Sequence, residues 1–173
     1  MKDQPLSDAS SEIPSPALVA AWRRLGILDI DRVPKWAAYW LIGGYDGPAL
    51  ARLAGVGSSD SRETQDLLPA APADCGIALP LTTVAAAETV FNDLVEQLSS
   101  GQIDEGQVIQ EVDTVLHSTD YAAEVRALPL GKVWDCIDQE WTHGRTIGDG
   151  QRDKMVRAVC KLVDRLDSGT TTP

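Results

Sequence analysis

Apolar residues along the chain recur three and four positions apart and do not alternate, and wherever a cap precedes such a run and a breaker follows it the pattern predicts a helix. Ser15-Pro16 supplies an N-cap and a proline at the first helical position, Leu18, Val19, Trp22 and Leu25 follow at helical spacing, and Gly26 stops the run. Asp31 or Arg32 precedes Val33-Pro34, and Trp36, Ala37, Trp40 and Leu41 then mark one face up to Gly43-Gly44. Asp46, with Pro48 two residues on, opens a third short helix containing Leu50, Leu53 and Ala54 and closed by Gly55 and Gly57. Asp60 and Glu63 have the D-x-x-E spacing of a capping box before Leu67-Leu68, with Pro69 and Pro72 disturbing the course of that fourth helix before Gly76.

The second half of the chain carries longer periodic runs. Val84, Ala87, Phe91, Leu94, Val95 and Leu98 line one side of a helix that exits at Gly101. Ile103 and Val108 flank Asp104 as a hydrophobic staple around a cap, and Val108, Ile109, Val112, Val115 and Leu116 continue the stripe. A helix from about Tyr121 is broken at Pro129, and a second piece carries Val133, Trp134, Ile137 and Trp141. The last helix follows the loop THGRTIGDG and shows Met155, Val156, Val159, Cys160, Val163 and Leu166 on one face. No stretch alternates apolar and polar residues over a strand's length, so no sheet is expected. The expected fold is all-α, a helical bundle of about eight helices with a smaller N-terminal helical subdomain. The IALPLT stretch at 77–82 divides that subdomain, 17–81, from a C-terminal helical bundle, 82–167. Residues 1–16 and 168–173, rich in Ser, Thr, Pro and acids, read as disordered tails.

Composition sharpens this picture through charge. Fifteen Lys and Arg stand against 26 Asp and Glu, a formal charge of −11. Residues 17–82 hold seven acids and six bases and residues 149–173 four acids and five bases, whereas 83–145 hold twelve acids and three bases. A −9 segment repels phosphate backbones and attracts basic proteins across roughly a Debye length, about 8 Å at physiological salt. Direct binding of nucleic acid is therefore not expected. Aromatic residues are few, but five of the nine are tryptophans, fit to anchor packing. An opening segment with acids, Ser and Pro in place of a basic start and an apolar run, and the lack of any 18-residue apolar stretch, point to no membrane association and a cytoplasmic location.

Candidate chemistry is sparse. Cys75, Cys136 and Cys160 are odd in number and far apart, with no C-x-x-C spacing, so neither a disulfide framework nor a zinc site is implied. Asp113 and His117 share a helix face at i, i+4, two ligands where a metal needs three or four, and no cofactor is expected. Ser58 and Ser59 lack the strand and base of a nucleophile elbow, and GRTIGDG lacks the P-loop arrangement. No catalytic residue is assigned. Ala51 and Gly55 have the A-x-x-x-G spacing found before the turn of many helix-turn-helix motifs, but the helix that follows would bring Asp60, Glu63 and Asp66 to the phosphates with Arg62 as its only base. The acidic middle is the remaining constellation. Asp135, Asp138 and Glu140 lie between Trp134 and Trp141, with His143 in the adjoining loop, and carboxylates mixed with large aromatics suit an interface for a basic partner.

Two stretches resemble known proteins. GYDGPALARLAGVGSSDSRETQDLLPAAPADCGI resembles a segment of uncharacterised helical proteins of actinobacteria. From LVEQLSSGQIDEGQVIQEVDTVL through DYAAEVRALPLGKVWDCIDQEW to VRAVCKLVDRL, roughly residues 91–166, the chain is similar in helix layout, in a Gly-Gln-Ile-Asp turn and in acidic charge to small helical immunity proteins of the colicin D type. That resemblance implies an acidic bundle that blocks the active site of a basic tRNA-cleaving toxin. Trp141-Thr142-His143-Gly144 stands where no family motif transfers, so no binding residue is carried over from the family.

The leading expectation is a non-catalytic cytoplasmic binding protein for a basic protein such as a toxin nuclease domain, with Asp135, Asp138, Glu140, Trp141 and His143 as partner-binding residues. A helical adaptor or transcriptional module is the alternative, and an enzyme with an unrecognised helical active site the third. The charge distribution predicts that generic duplex DNA is not shifted in a mobility-shift titration at physiological salt. Salt-sensitive binding that depends on Arg52 and Arg62 would contradict it.

Overall fold

A computed structural model describes residues 13–57, 60–80 and 82–132, and its described secondary structure is entirely helical. The chain divides into two compact units, Met1–Leu81 and Thr82–Pro173. The first contains α1 (Pro16–Leu25), a 3-10 turn (Ile30–Arg32), α2 (Val33–Ile42), α3 (Pro48–Ala54), α4 (Ser61–Leu67) and α5 (Ala71–Asp74). The second contains α6 (Thr83–Ser99), α7 (Glu105–Ser118) and α8 (Ala123–Arg126). These are eight α-helices among the described residues, in keeping with the all-α expectation.

No described helix of the first unit exceeds ten residues, and isolated helices shorter than about 12–15 residues do not hold in water. Their stability comes from packing. Val33, Trp36, Trp40, Leu50, Leu53 and Leu68, none more than 4% exposed, belong to one core, with Trp22 and Leu41 packed against it. The indole N–H of Trp40, buried with the rest of its ring, donates to the carbonyl of Pro14 at 2.9 Å, which satisfies the polar atom and ties the chain ahead of α1 to α2. Ser15 caps α1, its hydroxyl accepting from Leu18 N–H at 3.2 Å. Gly26 ends that helix at φ 74°, in the left-handed region that places the Ile27 N–H on the Trp22 carbonyl at 3.0 Å.

The start of α3 departs from the sequence reading. Asp46 does not cap it; Gly47 occupies the N-cap position and has no side chain to do so. The cap comes from Asp74, at the end of α5, whose Oδ2 accepts from the backbone N–H of Ala49 at 2.7 Å and of Leu50 at 2.9 Å. A carboxylate on the first free amides of a helix is a charge-assisted bond on the positive end of the helix dipole. Gly47 makes the approach possible, since a Cβ there would overlap the Asp74 side chain. Only half of the expected Asp60–Glu63 box forms. Asp60 accepts from Glu63 N–H at 3.1 Å, but the Asp60 N–H already donates to Gly57, and Glu63 turns instead to Arg52 at 3.6 Å.

In the second unit α6 opens on Thr82, which accepts from Ala85 N–H at 3.1 Å, and buries Ala86, Ala87, Val90, Phe91 and Leu94. Asp104 and Gln107 form a complete capping box for α7, each side chain accepting from the other's backbone N–H at 2.8 and 2.9 Å. The same helix buries Val108, Val112, Val115 and Leu116. It ends with Asp120 and Tyr121 both at positive φ, 51° and 54°, so that Tyr121 N–H reaches the Leu116 carbonyl at 2.8 Å. These two left-handed residues delay the following helix. It starts at Ala123 and not at about Tyr121, and it ends at Arg126, ahead of Pro129. The expected helices carrying Val133 to Trp141 and Met155 to Leu166 lie outside the described residues.

Replacing Asp74 by Ala removes the acceptor of two amides and is expected to destabilise the chain by about 2 kcal/mol. Asp74→Asn, which keeps an oxygen acceptor, should lose less. Urea unfolding of the two variants measures both losses; an Asp74→Ala midpoint equal to wild type contradicts the assignment.

Candidate functional site

The sequence places the acidic, partner-binding constellation at Asp135, Asp138, Glu140, Trp141 and His143, and all five lie outside the described residues. The described part of the second unit, 82–132, is strongly acidic in its own right. It carries nine acids and two bases, Arg126 and Lys132. Glu88, Glu96, Asp104, Glu111, Asp120 and Glu124 are exposed, while Asp93, Glu105 and Asp113 are half-buried.

Helical periodicity positions these groups. On α6 the core face is set by Ala87, Val90, Phe91 and Leu94, which leaves Glu88, Asn92 and Glu96 exposed at intervals of four on one stripe. On α7 the core face is Val108, Val112, Val115 and Leu116, and Gln110, Glu111 and Thr114 are exposed. The like charges close enough to repel, by a few tenths of a kcal/mol, are Asp93 and Glu96 three residues apart, and α6 offers no cation within itself to relieve them. The fold tolerates this charge and gains nothing from it.

Asp93 lies at the edge of the α6 core face and accepts a short hydrogen bond from Gln97 one turn on. Partial burial raises its carboxyl above the usual aspartate value, the Gln97 bond lowers it, and the nearby Glu96 raises it further. One carboxylate oxygen of Asp113 is buried without a hydrogen-bond partner. His117, exposed in the last turn of α7, sits where a helix C-terminus favours a cation, and its ring meets Tyr121 edge-on with centroids 6.0 Å apart. Among the described residues no three His, Cys, Asp or Glu side chains converge to hold a metal ion. None of the described helices is long and apolar enough to cross a membrane.

In the first unit the helix-turn-helix spacing resolves into α3 and α4 bridged by the exposed Arg52–Glu63 pair, so one of the two bases on this pair of helices is engaged with a carboxylate. Ser58 and Ser59 lie outside the described residues. Cys75 is buried beside the α3 cap; desolvation, then the neighbouring Asp74 charge, pushes its thiol above the ordinary value, which favours the unreactive protonated form. Sequence reasoning passed over Asp74, because the bond it makes spans 24 and 25 positions and no local pattern announces it. It also passed over the stack of Arg32 on Trp36, although their i, i+4 spacing was a usable signal. Comparison with family models, with curated proteins and with solved structures finds no match for this chain.

The Asp93 shift has a definite sign. A carboxyl whose folded-state pKa is raised favours the protonated native state, so its contribution is fully present below the unfolded value near 3.8 and is lost as pH rises through the raised folded value. At neutral pH the ionised Asp93 is therefore a net cost. Asp93→Asn, which retains the acceptor for Gln97, is expected to raise the melting temperature at pH 7 and to lose that advantage on acidification through the carboxylate range. An equal shift at both pH values contradicts the electrostatic cause.

Proposed function

We propose that the chain is a non-catalytic binding protein whose acidic second unit captures a basic protein. The observation that carries the reading is the nine-to-two excess of acids over bases in residues 82–132, with six of the nine carboxylates exposed and four of these six, Glu88, Glu96, Glu111 and Glu124, standing on helices that bury other residues in the core. Folding stability does not call for such an excess, since like charges on one surface raise the energy of the compact state. A basic partner removes that self-repulsion on docking. It also experiences a field that speeds encounter and orients approach.

Residues 133–145 extend the same charge, with Asp135, Asp138 and Glu140 as the rim of the interface, Trp141 as the aromatic anchor and His143 at the edge. Rim carboxylates act chiefly on association, and a desolvated tryptophan on dissociation. The specific form of the proposal is an immunity protein that blocks a basic nuclease toxin in the cytoplasm, in line with the resemblance of residues 91–166 to colicin D-type immunity proteins.

The test is affinity capture from the native organism with the wild-type chain and a folded variant carrying Asp135→Lys, Asp138→Lys and Glu140→Lys. A basic protein recovered by wild type and lost with the triple variant is expected, and Trp141→Ala should weaken the recovered complex by about 2–4 kcal/mol, mainly through faster dissociation. Recovery of the same partner at equal yield by wild type and the triple variant removes this patch from the interface.

A further inference from the structure

The first unit closes on itself at both ends of its chain. Its core draws on residues from Val19 to Cys75, and Ile13 and Ile77, which flank that stretch in sequence, pack against it. At the start, the Trp40 indole holds the Pro14 carbonyl at 2.9 Å. At the finish, Gly76 at φ 71° turns the chain out of α5, and the Ile77 N–H reaches the Pro72 carbonyl at 2.9 Å. The long-range bonds of its short helices, Asp74 to Ala49 and Leu50 and Ser61 to Asp31, have both partners inside these limits. No buried side-chain nitrogen or oxygen among its described residues lacks a hydrogen-bond partner. A chain of about 65 residues is near the lower limit for folding alone, and a closed core with its polar atoms satisfied is what brings it above that limit.

Beyond Ile77 the chain changes character. Ala78 and Leu79 belong to no helix, both are exposed, and neither makes a backbone hydrogen bond among the described residues. Exposure alone does not make a bond cleavable. Ile42 is 81% exposed against 39% for Leu79, yet the turn after Ile42 is held at three successive amides. Gly43 N–H donates to Tyr39 at 2.9 Å, Gly44 N–H to Leu41 at 3.1 Å and Tyr45 N–H to Trp40 at 3.1 Å. A protease draws its substrate into an extended strand, so those bonds must open before the chain is cut there. Ala78 and Leu79 have none to open. The next peptide bond, Leu79–Pro80, has a fixed ring and no N–H with which to engage a protease.

We propose that residues 13–77 fold as an autonomous unit and that Ala78–Leu79 is the chain's cleavage site for endoproteases that accept a small residue before the cut. Hydrolysis adds one water across that peptide bond and leaves a carboxylate on Ala78 and an ammonium group on Leu79. The first unit is released with its core undisturbed, because every residue of that core lies on one side of the cut. The other product keeps Thr82, whose hydroxyl caps α6. Cleavage here depends on the fold alone and is independent of what the second unit binds.

The experiment exposes the full chain to a low ratio of elastase, which cuts after small aliphatic residues, and follows the products by intact mass. Cleavage after Ala78 is expected before any cut between Pro14 and Ile77. The amino-terminal product should persist in the digest and, once purified, lose its tryptophan fluorescence signal cooperatively in urea. Ala78→Asp, at an exposed position, should abolish that cut and leave the melting temperature of the full chain unchanged. Asp74→Ala, which removes the α3 cap, should speed degradation of the released product about 30-fold, since proteolysis tracks the population of the open form. A first cut inside residues 14–77, for example in the Ile42–Tyr45 turn, would overturn the proposal. So would a full chain left uncut at 77–80, a product ending at Ala78 that is degraded as fast as it forms or unfolds without a cooperative transition, or equal persistence of the Asp74→Ala product.

Discussion

The carboxylate of Asp74 on the amides of Ala49 and Leu50 is the bond on which the first unit turns. It joins residues two dozen positions apart, fixes where α3 begins, and thereby sets Leu50 and Leu53 into a core in which both are fully buried. Helices of four to ten residues have too few internal bonds to persist alone. What makes them a unit is the set of long-range ties: this cap, the Trp40 indole on Pro14, the Ser61 hydroxyl on Asp31, and the apolar core running from Val33 to Leu68. Gly47 is part of the same device, because the Asp74 side chain occupies the space its Cβ would need.

The second unit relies on local rules to a greater degree. Thr82 and the Asp104–Gln107 box define the starts of two helices of 17 and 14 residues, long enough for each to show an apolar face and a polar one. The polar faces are not electrically balanced. Carboxylates outnumber bases nine to two among its described residues, and two of them reach toward the core: burial first, with a smaller push from Glu96, shifts the Asp93 carboxyl toward its protonated form, and Asp113 has a buried oxygen without a hydrogen-bond partner. Under the proposed function, the exposed carboxylates are the groups that a basic protein would meet.

Most of the helices were legible in the sequence because their signals are local. Ser15-Pro16, Gly26, the Gly43-Gly44 pair, Gly101 and Asp104 act within a turn of where they stand, and the structure starts α1 and α7 and ends α1, α2 and α6 at or beside them. What escaped is non-local or conformational. Asp46 looked like a cap for α3 because it is near in sequence, while Asp74 is near in space. The 3-10 turn before α2 and the four-residue α5 are too short to show periodicity. The delayed start of α8 comes from Asp120 and Tyr121 in a left-handed conformation that their residue types do not demand. As for the site, the acidic sign of the second unit is plain from composition, whereas its proposed centre, Asp135 to His143, lies outside the described residues.

The central claim is that the acidic surface of the second unit exists to meet a basic protein. The most direct measurement is the association rate of the purified chain with its captured partner as ionic strength is raised. A rate that starts well above the unsteered range of about 10⁵–10⁶ M⁻¹s⁻¹ and falls steeply with salt, while dissociation changes little, is what the account predicts. A rate that is slow at low salt and indifferent to ionic strength would contradict it.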